Sequence, residues 1–273
     1  IGPESVLKEA NIPILHHSPE VGKNLQDHLG VSYFYKSKVP TLNDQLRPWW
    51  GKLLQGARYI LTRTGPLSLS VNQSGGFVRT RDGLKTPNIQ LYFSPVSYSH
   101  ESPGRRAMLS PDPFSAVLLG VSNCKSNSRG QIRIKNNNPL EAPIIEPNYL
   151  SHQDDVQDLL EGVKLLRKLA QTKSFSKVIY DEFRPGPDCK SDAELIEDIK
   201  ENAWTVFHPS STCRMGPDPL KNVVDSSLKV HGVKGLRIAD ASIFPELVTG
   251  NINAATIMVG EKASDLILED IKS

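Results

Sequence analysis

Apolar residues fall at helical spacing along Val156, Leu159, Leu160, Val163, Leu166 and Leu169. Ser151 precedes them with Asp154 three positions on, so the pattern predicts a capped helix that buries one face. A shorter stripe at Leu195, Ile196 and Ile199 predicts a second helix over 191–202, lying across the same core. Ahead of both, the period changes from 3.6 to 2. Residues 31–35, 73–79, 88–94, 116–121 and 129–135 alternate or run apolar over strand lengths. One helical interval interrupts them at 49–62, with Leu53, Leu54, Ala57, Tyr59, Ile60 and Leu61 as its apolar residues. Strands with few helices between them predict an antiparallel sheet. The chain opens with a short helix at 4–10 and an extended run at 12–15. It closes with a buried strand at 236–240 and a helix at 253–268, whose Ile257, Met258, Ala263, Leu266 and Ile267 are expected to face inward. The loop 97–113 carries three prolines, one glycine and two arginines, and reads either as an active-site lid or as a plain surface loop.

Composition narrows the function classes. A chain of 273 residues buries a sizeable core without staples. Its three cysteines, Cys124, Cys189 and Cys213, form no CxxC pair, so neither a zinc site nor a disulfide framework is indicated. A reducing, cytoplasmic setting is compatible with them. The formal net charge of +2 is spread without a basic block, which argues against nucleic acid or an anionic membrane as partner. No apolar run approaches the ~20 residues of a membrane span. The first residue is Ile1, and no G-x-G-x-x-G follows a strand. The sequence is therefore expected to be a piece of a longer chain.

Candidate chemistry concentrates in 203–260. His208 sits in Val-Phe-His-Pro-Ser-Ser-Thr-Cys-Arg-Met-Gly, and its Pro209 stops the backbone from continuing as a helix. Taken alone, the residue reads as a structural histidine or as a general base, because a neutral imidazole is abundant near pH 7. Further on, the expected strand ends in Asp240, and Thr-Gly-Asn-Ile-Asn leads into the last helix. Asn251 there reads as a helix cap or as an amide that orients a substrate hydroxyl. Strand ends and helix N-termini are where α/β proteins hold polar or anionic cofactors. Near the other end, Asn24-Leu25-Gln26-Asp27-His28 reads as a capped connection or as part of a cofactor site. His16, His17, His28 and His231 read as surface or structural, and Cys213 as a small apolar residue.

These motifs resemble the glucose-methanol-choline (GMC) oxidoreductases. The resemblance lies in the His208 context, in Val223-Val224-Asp225, in His231-Gly-Val-Lys-Gly-Leu-Arg-Ile-Ala-Asp-Ala-Ser242, and in Gly250-Asn-Ile-Asn-Ala-Ala-Thr-Ile-Met-Val-Gly-Glu-Lys262. Val21-Gly-Lys-Asn-Leu-Gln-Asp-His28 is similar to a further element of the family. The likeness covers nearly the whole chain and is nearest to bacterial choline dehydrogenase and alcohol dehydrogenase members.

It implies a mixed α+β and α/β fold. Residues 1–30 would end the first part of an FAD-binding, Rossmann-like domain, 31–202 would form an antiparallel-sheet substrate domain, and 203–273 would return to the FAD domain. The implied activity is oxidation of an alcohol CH–OH by hydride transfer to FAD, with His208 as base and Asn251 as its partner. Phe207, Asp240, Ala241, Ile252 and Asn253 would lie against the cofactor, with Asp240 near its ribityl-phosphate arm. Asn72 and Phe93 would line the pocket of a primary or aromatic alcohol. Oxygen, a quinone or another carrier would reoxidise the flavin. A hydroxynitrile lyase of the same fold and a fragment inactive by itself are the alternatives.

Overall fold

The computed structural model describes residues 1–98 and 111–272. Most of the 97–113 loop, residues 99–110, therefore lies outside the described residues. The elements run α1 (Glu4–Glu9), β1 (Lys23–Leu25), β2 (Leu29–Ser37), α2 (Leu42–Leu46), α3 (Trp49–Thr62), β3 (Ser74–Val78), β4 (Ile89–Ser94) and β5 (Ala116–Asn123). They continue with β6 (Gly130–Arg133), β7 (Ile144–Glu146), α4 (Gln153–Ala170), β8 (Ile179–Arg184), α5 (Asp192–Asn202) and α6 (Asn253–Lys272). This is the mixed fold with antiparallel sheets that the pattern predicts. Two compact units share the chain: residues 1–29, 124–155 and 205–273 make the first, and 30–123 with 156–204 make the second.

In the second unit the sheet order is β3-β4-β5-β2-β8, with antiparallel neighbours throughout. β5 is buried along its whole length, from the apolar run Ala116–Val121 to the polar Ser122 and Asn123 at its end. α4 lies on the sheet through Val156, Leu159, Leu160, Val163 and Leu166, all buried. The absence of a side chain at Gly162 permits the close approach, since a Cβ there would meet the Ile89 and Val121 side chains at 3.2 and 3.3 Å. α5 begins on a capping box in which Ser191 and Glu194 satisfy each other's backbone N–H. The start of α4 differs from expectation. Its first turn is closed by the His152 ring, which accepts the Asp154 N–H at 3.2 Å, while Ser151 is exposed.

The first unit holds the short sheet β1-β6-β7 and a core of Val223, Val224, Val230, Ile243, Phe244 and Leu247 with the Val259–Ala263 edge of α6. Because β6 pairs with β1, the stretch 124–155, which the sequence suggests is part of a 31–202 block, packs with this unit. Gly22 turns the chain into β1 at φ +82°, and a Cβ there would lie 2.2 Å from the Ile132 carbonyl oxygen.

Of the strand or extended run expected at 12–15, no strand forms, and Ile14 and Leu15 are exposed beside Pro13. Two expectations fail here. Residues 236–240 are not a buried strand either. They touch 228–230 through one isolated bridge, Lys229 to Arg237, and Leu236 is exposed. In α6, Ala263 and Leu266 pack on the core as expected, but Ile257, Met258 and Ile267 are exposed, because the core touches only one edge of the helix.

Candidate functional site

Three segments of the first unit are stitched together around His208. Gln26 is the hub. Its backbone exchanges hydrogen bonds with Ser210, N–H to O at 3.2 Å and O from N–H at 2.9 Å. Its side-chain amide donates to the Ser126 carbonyl at 3.0 Å and accepts from Ser211 Oγ and the Leu247 N–H. On the other side, the Ser211 N–H donates to Ala241 O and the Cys213 N–H to Ser242 O. The segment carrying His208 is thereby held between 26–28 and the turn 241–243.

Asp27 and His28 then set the histidine itself. Asp27 Oδ1 accepts the His208 backbone N–H at 2.8 Å, and Oδ2 accepts from Tyr149 Oη at 2.6 Å and from Thr205 Oγ1. His28 stands edge-on to His208, with the two Nδ1 atoms 2.9 Å apart and the ring planes at 85°. Its Nε2 lies 3.1 Å from the Cys124 carbonyl oxygen.

A carbonyl only accepts, so His28 Nε2 carries a proton. Burial, at 2% exposure, pushes the His28 pKa down to about 4, so near pH 7 the ring is neutral and its Nδ1 is bare. His208 Nδ1 must then be the donor of the pair. Burial lowers the pKa of His208 too, with Asp27 pulling the other way, so this ring is neutral as well. Its one proton is on Nδ1, and its Nε2 presents a lone pair.

Asn251 Nδ2 is 3.5 Å from that Nε2. This is long for a direct hydrogen bond, and a single oxygen atom can lie within hydrogen-bonding reach of both. Gly250, at φ +88°, makes the bend that brings Asn251 there. The two candidate residues, 43 positions apart, thus stand side by side.

His208 lines a cavity of about 670 Å³, to which Ile252 and Asn253, the residues after Asn251, also contribute. Leu25, Ile132, Phe207 and Ile252 give it apolar wall, and Asp240, Ser242, Asn253 and Thr256 give it polar wall, with His208 and Ala241 also on its surface. All five residues expected against a cofactor line this one cavity. Asp240 has a local duty as well: its carboxylate accepts the Ser242 N–H at 2.7 Å and caps the 241–243 turn. Phe207 is 79% exposed and holds φ +60°. Asn72 and Phe93 belong to the second unit, Asn72 exposed ahead of β3 and Phe93 edge-on to Phe175. A substrate role for them rests on the sequence alone.

Sequence reasoning marked 24–28 as a capped connection or part of a cofactor site and read His28 as surface or structural, but it did not tie Gln26, Asp27 and His28 to His208, and it passed over Tyr149 and Thr205. One clue was available: Gln-Asp-His is a polar triplet set between apolar Leu25 and Leu29, and it is buried throughout.

Residues 126–260 match the family model for GMC oxidoreductase. Oxygen-dependent choline dehydrogenases from Escherichia coli O139:H28 and Klebsiella pneumoniae subsp. pneumoniae are each 38% identical over 267 residues, covering 98% of this chain and 47% of those proteins. The chain thus spans about half the length of these curated relatives. Among solved structures, pyridoxine 4-oxidase from Mesorbium loti is similar at 28% identity with a TM-score of 0.78, over 97% of this chain and 47% of that one. Formate oxidase from Aspergillus oryzae RIB40, in which FAD modification has been studied, matches at 25% identity with a TM-score of 0.88, over 100% of this chain and 51% of that one.

Proposed function

We propose that the chain supplies the proton-handling side of an FAD-dependent enzyme that oxidises an alcohol to an aldehyde or ketone, a reading supported by its match to the GMC oxidoreductase family model over 126–260 and its 38% identity to choline dehydrogenases. The observation that carries this reading is the bare Nε2 of His208, fixed through Nδ1 by His28 and facing the Asn251 amide at 3.5 Å.

An alcohol oxygen between these two groups donates its proton to His208 Nε2 and accepts from Asn251 Nδ2. The amide can hold developing negative charge on that oxygen without competing for the proton. His208 keeps its Nδ1–H on His28 throughout, so the ring that gains the proton does not turn. FAD, when bound, supplies the acceptor for the hydride that leaves the carbinol carbon.

The cavity fits such a cofactor on its own evidence. Its walls combine the exposed Phe207 ring and the apolar side chains of Leu25, Ile132 and Ile252 with the polar groups of Asp240, Ser242 and Asn253, which suits a flat ring bearing a polar chain. The first turn of α6, which opens at Asn253, holds no acidic residue, so its free N–H groups present unopposed positive character. Phe207, Ala241 and Ile252 would hold the ring, and Asp240 and Asn253 the polar chain. A primary alcohol is the proposed substrate class. Choline is the first probe, because the curated relatives at 38% identity are choline dehydrogenases.

The test is anaerobic mixing of choline, and then of aromatic and simple primary alcohols, with the flavin-loaded full-length enzyme. Flavin absorbance is expected to bleach. His208→Ala is expected to slow the bleaching by about 10²–10⁴-fold, the range of general-base catalysis, with flavin still bound. Bleaching at the unmodified rate in that variant would remove His208 from the chemistry.

A further inference from the structure

Asp27 is a buried carboxylate at 5% exposure, and it forms no ion pair among the described residues. Both of its oxygens are engaged, and the donors come from two distant parts of the chain: Tyr149, and the 205–208 segment through Thr205 and His208. The Thr205 hydroxyl it holds accepts in turn the Phe207 N–H at 2.9 Å. Phe207 is the residue in the left-handed region at φ +60°, a conformation a bulky side chain avoids unless its surroundings impose it. Thus the carboxylate grips the backbone on either side of the one bend that aims the His208 ring.

The same carboxylate is the fixed negative charge beside that ring. Burial works against a charged His208, and Asp27 works in its favour. His28, held neutral by burial, offers no charge to share. Tyr149 is raised to about 12, first by burial and then by Asp27, and so stays a neutral donor. Asp240 lines the same cavity as His208 and is exposed to solvent.

We infer that Asp27 is a positioning residue for His208, holding the Phe207–His208 bend through its two oxygens and steadying the imidazolium that forms when Nε2 takes a proton. This rests on the function proposed above. In the step concerned, the alcohol O–H bond breaks and its proton forms the Nε2–H bond of His208. The hydride leaves the carbinol carbon with its electron pair for the acceptor named above. Asp27 takes no proton and remains charged.

The test uses the full-length flavin-loaded enzyme with ¹³C-labelled histidine, and reads the His208 titration midpoint by NMR beside the pH profile of kcat/KM. Asp27→Asn keeps an oxygen for the His208 N–H and removes the charge. Its His208 midpoint is expected to fall by about one pH unit or more, the acid limb of kcat/KM to move down with it, and the plateau to drop. Thr205→Val cuts one tether and leaves the charge, so its plateau should drop while the limb stays in place. Tyr149→Phe removes a donor from the carboxylate, leaving its charge less compensated, and should raise the midpoint. A purely structural Asp27 would lower the yield of folded enzyme and move neither the midpoint nor the limb, and that result overturns the inference. Should Asp27→Asn fail to fold, Tyr149→Phe decides alone, and an unmoved or lowered midpoint overturns the inference. If the NMR midpoint moves and the kinetic limb does not, the Asp27 coupling stands and His208 is not the base, so it is the proposed function that fails.

Discussion

Helix α4 buries Val156, Leu159, Leu160, Val163 and Leu166 against the sheet of its own unit, whereas α6, two residues longer, buries only Val259 and Ala263 and leaves Ile257, Met258, Ile267 and Leu268 exposed. Both carry enough apolar residues for a stripe. What differs is the surface on offer: α4 has a five-strand path of sheet beneath it, and α6 has the edge of a small core built from 223–252. Amphipathic spacing specifies a face, and packing depends on whether a partner surface exists to meet it. The start of α6 lines the candidate site through Asn253 and Thr256, beside the exposed Phe207.

The contrast is sharpest under truncation of a side chain. Leu159 is fully buried in α4, and Leu159→Ala is expected to destabilise the chain by about 2–5 kcal/mol, the cost of lost burial plus the cavity left behind. Urea unfolding, followed by circular dichroism, measures it. A loss below about 1 kcal/mol would mean that α4 is as loosely covered as α6, and the contrast would dissolve.

Part of this was legible in the chain and part was not. The stripe from Val156 to Leu166 and the capping box at Ser191 and Glu194 are local patterns, so the helices they mark could be read directly. The alternation in 88–94 and the apolar run from 116 likewise mark strands that form. The 236–240 run looked like a strand because its residues suit one, but pairing is a property of neighbours, and here it amounts to one isolated bridge between Arg237 and Lys229. Family motifs singled out His208 and Asn251, and the fold sets them together. The pairing of His28 with His208 was not legible, because the partner lies 180 positions away and no spacing rule links them. The meaning of Gln-Asp-His appears only once Ser210 and His208 are seen lying across it.

That triplet gives the second test, since it is a polar segment of the first unit buried as deeply as the α4 stripe. His28 has a folded pKa of about 4 against 6.5 when free, so between those values the unfolded chain binds more protons than the folded one. The resulting stability is fully present above about pH 6.5 and is lost as pH falls toward 4. A gap of about 2.5 units corresponds to roughly 3 kcal/mol. Denaturation midpoints measured from pH 7 to 4 should fall accordingly. His28→Asn, which has no titrating group and can still accept from His208 Nδ1, should flatten that decline. If the slope is the same in both proteins, His28 is not buried as described.

The smallest effect belongs to the exposed face itself. Replacing Met258 or Ile257 by Ser removes apolar surface that already faces water, so in the 273-residue chain each change is expected to shift unfolding free energy by no more than about 0.5 kcal/mol. Helix propensity adds little, because Ser lies close to Ile in that ranking. A loss above about 1 kcal/mol would show that α6 finds cover within the chain after all. The same two variants should also reduce self-association of the chain, measured by sedimentation, because a contiguous apolar face left in water is sticky. Leu159→Ala, whose change is internal, should leave the association of the folded chain unaltered, and it is this divergence between a stability readout and an association readout that separates a helix that has found its partner from one that has not.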